Sequence, residues 1–111
     1  MKFIFLITMA LIFEGCSKSS QKISQNPLFD KGKAVFISNC IACHNTDPTL
    51  PGSIGPDIAN SSIELLTSRI MKQSYPEGYK PKRDSHLMPA LPFLEKDLPA
   101  LKVYLDSFTK K

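Results

Sequence analysis

Five consecutive residues, Cys40-Ile41-Ala42-Cys43-His44, constrain this chain more than any other stretch. Two cysteines three positions apart, with a histidine directly after the second, are typical of the covalent attachment of a c-type haem. The two thiols form thioethers with the haem vinyl groups, and the following imidazole binds the iron as its proximal ligand. We therefore predict that Cys40 and Cys43 hold one haem c and that His44 binds its iron.

A Cys-x-x-Cys pair can also form a redox-active disulfide or half of a zinc site. A zinc site needs a second ligand pair at a comparable spacing, and the remaining candidates, Cys16 and His86, are isolated in the sequence. A thioredoxin-like motif lies within an alternating pattern of strands and helices, which this sequence lacks. The sequence favours haem attachment and leaves a redox dithiol as the alternative.

The N-terminus resembles a bacterial lipoprotein signal. Lys2 precedes an apolar run from Phe3 to Phe13, which is too short to cross a bilayer as a helix and is typical of a signal peptide. A glycine then precedes Cys16, so we predict a signal over residues 1–15 and acyl chains on Cys16. The alternatives are an ordinary cleavage site, with Cys16 as a bystander, and an uncleaved anchor.

The rest of the chain divides into a tether and one domain. Residues 16–26 are rich in Ser, Gln, Lys and Asn and predict a flexible tether, while residues 27–111 form one domain. Such a small domain buries a thin core, to which the apolar faces of a haem would add. Bacteria attach c-type haem outside the cytoplasm, so we expect a lipid-anchored protein on the periplasmic side of a membrane, or alternatively a soluble periplasmic one.

The pattern of apolar residues predicts a helix that leads into the pentapeptide. Asn26 can cap this helix and Pro27 can occupy its first position. Apolar residues then recur at three- and four-residue spacing as far as Cys40. Gly32 lies inside this helix, where glycine costs about 1 kcal/mol relative to alanine. A glycine at this position suggests that another helix crosses closely.

Two further helices are predicted after a turn-rich loop over residues 45–60. Ser61 and Glu64 have the spacing of a capping box, and the helix that they begin ends near Gln73. The last helix extends from about Asp97, its cap, to Phe108. Between these helices, residues 75–92 are rich in proline, and no regular element fits them.

An iron held by one histidine has a second axial position, where a thioether raises the reduction potential and suits electron transfer. We predict that Met88, which precedes Pro89 in the proline-rich loop, binds there. Met71 lies on the predicted second helix, where methionine more often fills a core. His86 is the alternative ligand, because residues two apart in an extended segment point the same way. It would give bis-histidine ligation and a lower potential.

Taken together, these features resemble the class I c-type cytochromes with one haem, over nearly all of residues 27–108. The positions that carry the resemblance are Gly32, Phe36, the pentapeptide, Gly55-Pro56, Met88-Pro89 and Tyr104-Leu105. The resemblance implies a small all-α domain of three to four helices wrapped around one covalently attached haem, with the terminal helices crossing. It further implies that Gly32 and Phe36 pack against the Tyr104 region, and that Pro56 offers its carbonyl to His44. Residues 75–85 depart from the family pattern.

The resemblance implies a function in one-electron transfer, with the iron cycling between its ferrous and ferric states in a bacterial respiratory or related chain. We expect an electron carrier rather than an enzyme, because no constellation of a base and a nucleophile is visible. The alternatives are a haem-based sensor or gas-binding protein, and a fixed cytochrome subunit of a larger oxidase or reductase. Lys80, Lys82 and Arg83 either steer acidic redox partners or belong to an ordinary solvated loop. No nucleic-acid partner is expected.

Overall fold

The computed structural model describes residues 26–109. It has three α-helices, α1 (Pro27–Asn39), α2 (Ile63–Lys72) and α3 (Leu98–Asp106), and a 3-10 helix (Pro92–Asp97) that continues directly into α3. No strand occurs in this part of the chain, so the prediction of an all-α fold is confirmed.

The predicted signal over residues 1–15, the lipidation site Cys16 and the tether up to residue 25 lie outside the described residues. Within residues 26–109, no helix has the length and apolar character needed to cross a membrane.

The first helix begins as the sequence predicts. The Asn26 side chain accepts a hydrogen bond from the Leu28 N–H at 3.0 Å, and Pro27 is the first helical residue. At the other end, the Cys40 N–H donates to the Phe36 carbonyl at 2.9 Å. The pentapeptide therefore continues directly from a capped, regular helix, which fixes where its first cysteine lies.

The second helix begins one residue later than the predicted capping box. Ser62, not Ser61, accepts the hydrogen bond from the Leu65 N–H, at 3.1 Å. The Ser61 hydroxyl instead donates to the Ile58 carbonyl at 2.7 Å. Two adjacent serines offer the same capping group, and only the path of the preceding loop selects between them. The predicted end is confirmed, because Gln73 adopts a left-handed conformation directly after α2.

The last helix begins where the sequence predicts, but it is not capped in the predicted way. A 3-10 helix over Pro92–Asp97 precedes α3. The sequence predicted no regular element as far as Pro92 and no helix before about Asp97. Asp97 stands at the N-cap position of α3, but its side chain makes no capping hydrogen bond. Its carboxylate pairs instead with Lys31 of α1 at 3.1 Å. An aspartate before a helix can either cap that helix or form an ion pair, and the sequence does not distinguish the two. Here Lys31 of the neighbouring helix α1 forms the ion pair.

Helices α1 and α3 cross at Gly32, as its position inside a helix predicted. A Cβ atom on Gly32 would collide with the carbonyl oxygen of Ala100 and approach Tyr104 Cβ to 2.8 Å. Beside this crossing, the Tyr104 ring packs against the rings of Phe29 and Phe36, each with centroids 5.3 Å apart. The close approach of the two backbones brings these rings into contact.

The buried core draws on all four helical elements. Its members are Phe36, Leu66, Ile70, Leu94, Leu98, Leu101, Tyr104 and Leu105. Several of them, including Leu66, Ile70 and Leu94, also line a cleft that opens beside the pentapeptide. The same side chains thus hold the helices together and form an apolar wall of the candidate site.

Replacing Gly32 with alanine tests the helix crossing. Because the new methyl group has no room against Ala100, we expect Gly32→Ala to lower the free energy of unfolding by about 1–3 kcal/mol. The matched control, Ser38→Ala on the exposed face of the same helix, is expected to change it by less than about 0.5 kcal/mol. Denaturant unfolding followed by circular dichroism measures both. A Gly32→Ala protein as stable as the control would contradict the close crossing.

Candidate functional site

A cleft of about 270 Å³ lies between the pentapeptide, the loop that follows it, α2 and the segment over residues 75–91. Its lining is mainly apolar. The residues of the pentapeptide and of the following loop in this lining are Cys40, Ala42, Cys43, His44, Ile54, Gly55, Pro56, Asp57 and Ile58. The facing side contributes Leu65, Leu66, Arg69, Ile70, Tyr75, Tyr79, Lys82, Arg83, Ser85, Met88, Pro89 and Leu91.

The pentapeptide forms a tight turn along one edge of this cleft. The N–H groups of Cys43 and His44 both donate to the Cys40 carbonyl, at 3.3 and 2.9 Å. Both cysteines line the cleft as half-buried free thiols. Burial raises the pKa of the Cys40 thiol to about 11. A reactive thiol needs a thiolate near neutral pH, so burial does not favour Cys40 as the nucleophile of a redox-active pair.

The His44 imidazole is oriented by the loop that follows it. Its Nδ1 atom lies 2.8 Å from the Pro56 carbonyl oxygen, which is the contact that the resemblance implied. Because a carbonyl can only accept, this hydrogen bond places the proton on Nδ1 and leaves the lone pair of Nε2 free to bind a metal.

The electrostatic surroundings of His44 also keep it in the form that binds metals. Burial is the largest effect and lowers the pKa of the imidazole below its usual range. The hydrogen bond to Pro56 opposes this change, and the positive charge of Arg83 adds to it. Only a neutral imidazole has a lone pair to offer, so the lowered pKa favours a ligand over a proton.

The loop around His44 leaves no room for side chains at two positions. A Cβ atom on Gly55 would lie about 2.5 Å from His44 Nδ1, and one on Gly52 would collide with the Cys43 carbonyl. The Gly55 N–H donates to that same carbonyl at 2.9 Å, and the Gly52 N–H donates to the Gly55 carbonyl at 2.9 Å. The loop therefore packs against the pentapeptide backbone, and the lack of a side chain at Gly55 leaves room for the imidazole.

Met88 belongs to the facing wall of the cleft. Its carbonyl accepts a hydrogen bond from the Gln73 side chain at 3.0 Å, and the Leu91 N–H donates to the Ile70 carbonyl at 2.7 Å. These two hydrogen bonds tie the segment around Met88 to α2. Met71, the other methionine of the domain, packs against the core and is not part of the cleft lining.

His86, the alternative axial ligand, does not line this cleft. Its side chain is 92% exposed, and its Nε2 atom lies 3.7 Å from the Asp84 carboxylate. Met88, two residues away, lies on the wall of the cleft that contains His44. The structure therefore brings together four of the predicted site residues, Cys40, Cys43, His44 and Met88, and leaves His86 on the surface.

A stack of aromatic and cationic groups borders the cleft. The Arg69 guanidinium lies 4.2 Å above the Tyr75 ring, and Tyr75 stacks on Tyr79 with centroids 5.5 Å apart. Arg69 also donates to the Gln73 carbonyl at 2.9 Å, so it closes the C-terminal end of α2. The spacing of these residues in the sequence carries no periodic signal, because the turn after α2 brings them together.

Comparisons of the chain with protein-family models, with curated proteins and with solved structures return no match. In residues 26–109, no group of three or more His, Cys, Asp or Glu side chains is placed to hold a metal ion. A zinc site around Cys43 and His44 would therefore lack further ligands within that part of the chain.

The neighbours Gly55 and Pro56 offer a matched test of how His44 is held. A methyl group in Gly55→Ala has no room beside the imidazole, so we expect it to lower the free energy of unfolding by about 1–3 kcal/mol. Pro56→Ala keeps the carbonyl acceptor and loses only the backbone constraint of proline. We therefore expect it to lower the free energy of unfolding by only about 0.4–1 kcal/mol. Denaturant unfolding compares the two. Equal losses would show that the contact of Gly55 with His44 is not tight.

Proposed function

We propose that this chain is a membrane-tethered electron-transfer protein that carries one haem c and resembles the class I c-type cytochromes. In this proposal the thiols of Cys40 and Cys43 hold the haem as thioethers. His44 and Met88 would be the protein ligands of its iron. The protein is an electron carrier rather than an enzyme, and acyl chains on Cys16 anchor it on the periplasmic side of a bacterial membrane.

The single observation that carries the proposal is the orientation of His44 within the cleft. Its Nδ1 atom donates to Pro56, so the Nε2 atom remains available as a ligand. The two free thiols line the same cleft and belong to the same turn as this imidazole. A c-type haem needs two thiols for its vinyl groups, and an imidazole nitrogen and a thioether suit its iron. The residues present therefore fit that group.

The lining of the cleft also suits a flat, mainly apolar group. Leu66, Ile70 and Leu94 present apolar surface on one side, and Ile54 and Ile58 do so beside the pentapeptide. If the domain over residues 27–111 holds a haem in this cleft, these side chains would exclude water from the iron. Exclusion of water favours the less charged ferrous state and raises the reduction potential.

A bound haem would supply the one-electron chemistry, by cycling its iron between the ferrous and ferric states. The chain's own residues set the conditions for that cycle. The hydrogen bond from His44 to the Pro56 carbonyl fixes the proximal imidazole. The Met88 thioether, as a ligand of that iron, would favour the ferrous state and compete with small ligands.

The proposal also includes redox partner proteins, to which a charge of +4 for the whole chain would attract acidic surfaces. Lys80 is exposed and available for such contacts, and Leu87, beside Met88, is 70% exposed. An exposed apolar side chain next to a distal ligand suits a brief contact at which an electron crosses.

Attachment of haem is tested with cysteine variants made in a host that assembles c-type haem. Cys40→Ser with Cys43→Ser removes both thioethers, so we expect no haem to remain on the chain after denaturing electrophoresis and haem staining. The matched control, Ala42→Ser, alters the same turn and keeps both thiols, and it is expected to retain the haem. A chain without haem in the unsubstituted protein would refute the proposed function.

The distal ligand is tested with a pair of methionine variants. Met88→Leu removes the sulfur and keeps the volume, so we expect loss of the low-spin spectrum, a lower reduction potential and rapid binding of carbon monoxide to the ferrous protein. Met71→Leu makes the same change outside the cleft and is expected to leave all three properties unchanged. Optical spectra with a redox titration measure them.

The same spectra test the alternative of a gas sensor. If the unsubstituted ferrous protein binds carbon monoxide rapidly at neutral pH, Met88 is not a firm ligand and a sensor is favoured. If Met88→Leu keeps the low-spin spectrum and the potential, the assignment of Met88 is wrong.

A further inference from the structure

We propose that Lys82 and Arg83 are positioning residues that fasten the segment carrying Met88 across the mouth of the cleft to the loop that holds His44. This inference rests on the proposed function, since it concerns the distal ligand of that site. It assigns a role to the stretch over residues 75–85, which departs from the family pattern. We call the segment over residues 80–88 the distal strap.

Lys82 makes the first of the two contacts across the cleft. Its Nζ atom donates to the Asp57 carboxylate at 2.8 Å and to the Asp57 backbone carbonyl at 3.0 Å. The two side chains are 39% and 31% exposed, so water and salt reach the ion pair. Asp57 directly follows Pro56, whose carbonyl accepts from His44, so this contact ends next to the hydrogen bond that orients the imidazole.

Arg83 makes the second contact, deeper in the cleft. Its Nη2 atom donates to the Gly52 carbonyl at 3.0 Å, and the side chain is half-buried. Gly52 packs against the Cys43 carbonyl and is held by the carbonyl of Gly55. This contact therefore ends on the part of the loop that is fixed to the pentapeptide.

At its far end, the distal strap is also held by Met88, which packs against the core. In the described part of the chain, the hydrogen bonds that join residues 80–87 to other segments come from the Lys82 and Arg83 side chains. The next tie along the chain is the one from Gln73 to the Met88 carbonyl. Residues from Asp84 to Leu87 separate Arg83 from Met88, and His86 and Leu87 are largely exposed.

Two of the three basic residues of this stretch are thus engaged within the molecule. Lys80, by contrast, is exposed and makes no hydrogen bond or ion pair in the described structure. Lys82 and Arg83 therefore bind the loop over residues 52–57, and Lys80 does not take part in these contacts. When Lys82 and Arg83 release the loop over residues 52–57, the distal strap can swing away and take the Met88 thioether with it, which opens the sixth position.

The experiment measures how tightly imidazole, an external ligand, binds to the ferric holoprotein in competition with Met88. We expect Lys82→Met and Arg83→Met each to raise the affinity about threefold to fivefold, which is the range expected for one exposed or partly exposed polar contact. Lys80→Met is the matched control and is expected to have no effect. Lys82→Arg keeps the charge and is expected to restore the behaviour of the unsubstituted protein.

The dependence of imidazole affinity on salt concentration distinguishes the contact of Lys82 from that of Arg83. The ion pair of Lys82 with Asp57 is screened by salt, whereas the bond of Arg83 to a neutral carbonyl is affected much less. High salt should therefore raise the imidazole affinity of the unsubstituted protein and of Arg83→Met, and leave that of Lys82→Met unchanged. The charge-transfer absorption of the ferric iron–thioether bond, measured in the same samples, should weaken in parallel with the rise in imidazole affinity.

The outcomes distinguish this inference from the proposed function. If haem is attached and Met88 binds the iron, but Lys82→Met, Arg83→Met and Lys80→Met bind imidazole equally well, the positioning role is refuted and the proposed function stands. Thermal unfolding of each holoprotein identifies general destabilisation. A variant that unfolds earlier with unchanged imidazole affinity and absorption also refutes the positioning role. If no haem is attached, the proposed function itself fails.

Discussion

The hydrogen bond between His44 Nδ1 and the Pro56 carbonyl is the interaction on which the rest of the site depends. It decides which imidazole nitrogen keeps a lone pair, and the His44 side chain lines the cleft. The loop can supply this acceptor only because glycine at position 55 allows its backbone to lie against the ring, and the Cys43 carbonyl accepts the Gly55 N–H. A mainly irregular loop thereby becomes a fixed support.

The helices fix the position of the pentapeptide, which the loop alone does not. Helix α1 packs closely on α3 at Gly32 and ends directly at Cys40, so the crossing sets the position of the pentapeptide. Core side chains such as Leu66 and Ile70 also line the cleft, and Cys40 packs against this core. Burial raises the pKa of the Cys40 thiol and lowers that of the His44 imidazole. The same residues therefore pack the core and line the site, so a change in packing at the crossing would also alter the site.

Much of this arrangement was predictable from the sequence, where the signal is local. The Asn26 cap, the Gly32 crossing and the all-α class each follow from short patterns of residues. The 3-10 helix before α3 was missed because prolines predict a break and do not specify a short helix. The contacts of Lys82 and Arg83 were not predicted either. Their partners are distant in the sequence, and no periodic pattern in a charged loop indicates them.

The central claim is that one cleft holds one haem through the two thiols beside His44. Mass spectrometry of proteolytic peptides from the protein purified from its native cells tests this claim most directly. The account predicts that the peptide containing Cys40 and Cys43 carries the mass of one haem and that neither thiol reacts with an alkylating reagent. A peptide of unmodified mass, with both thiols alkylated or joined as a disulfide, would contradict it.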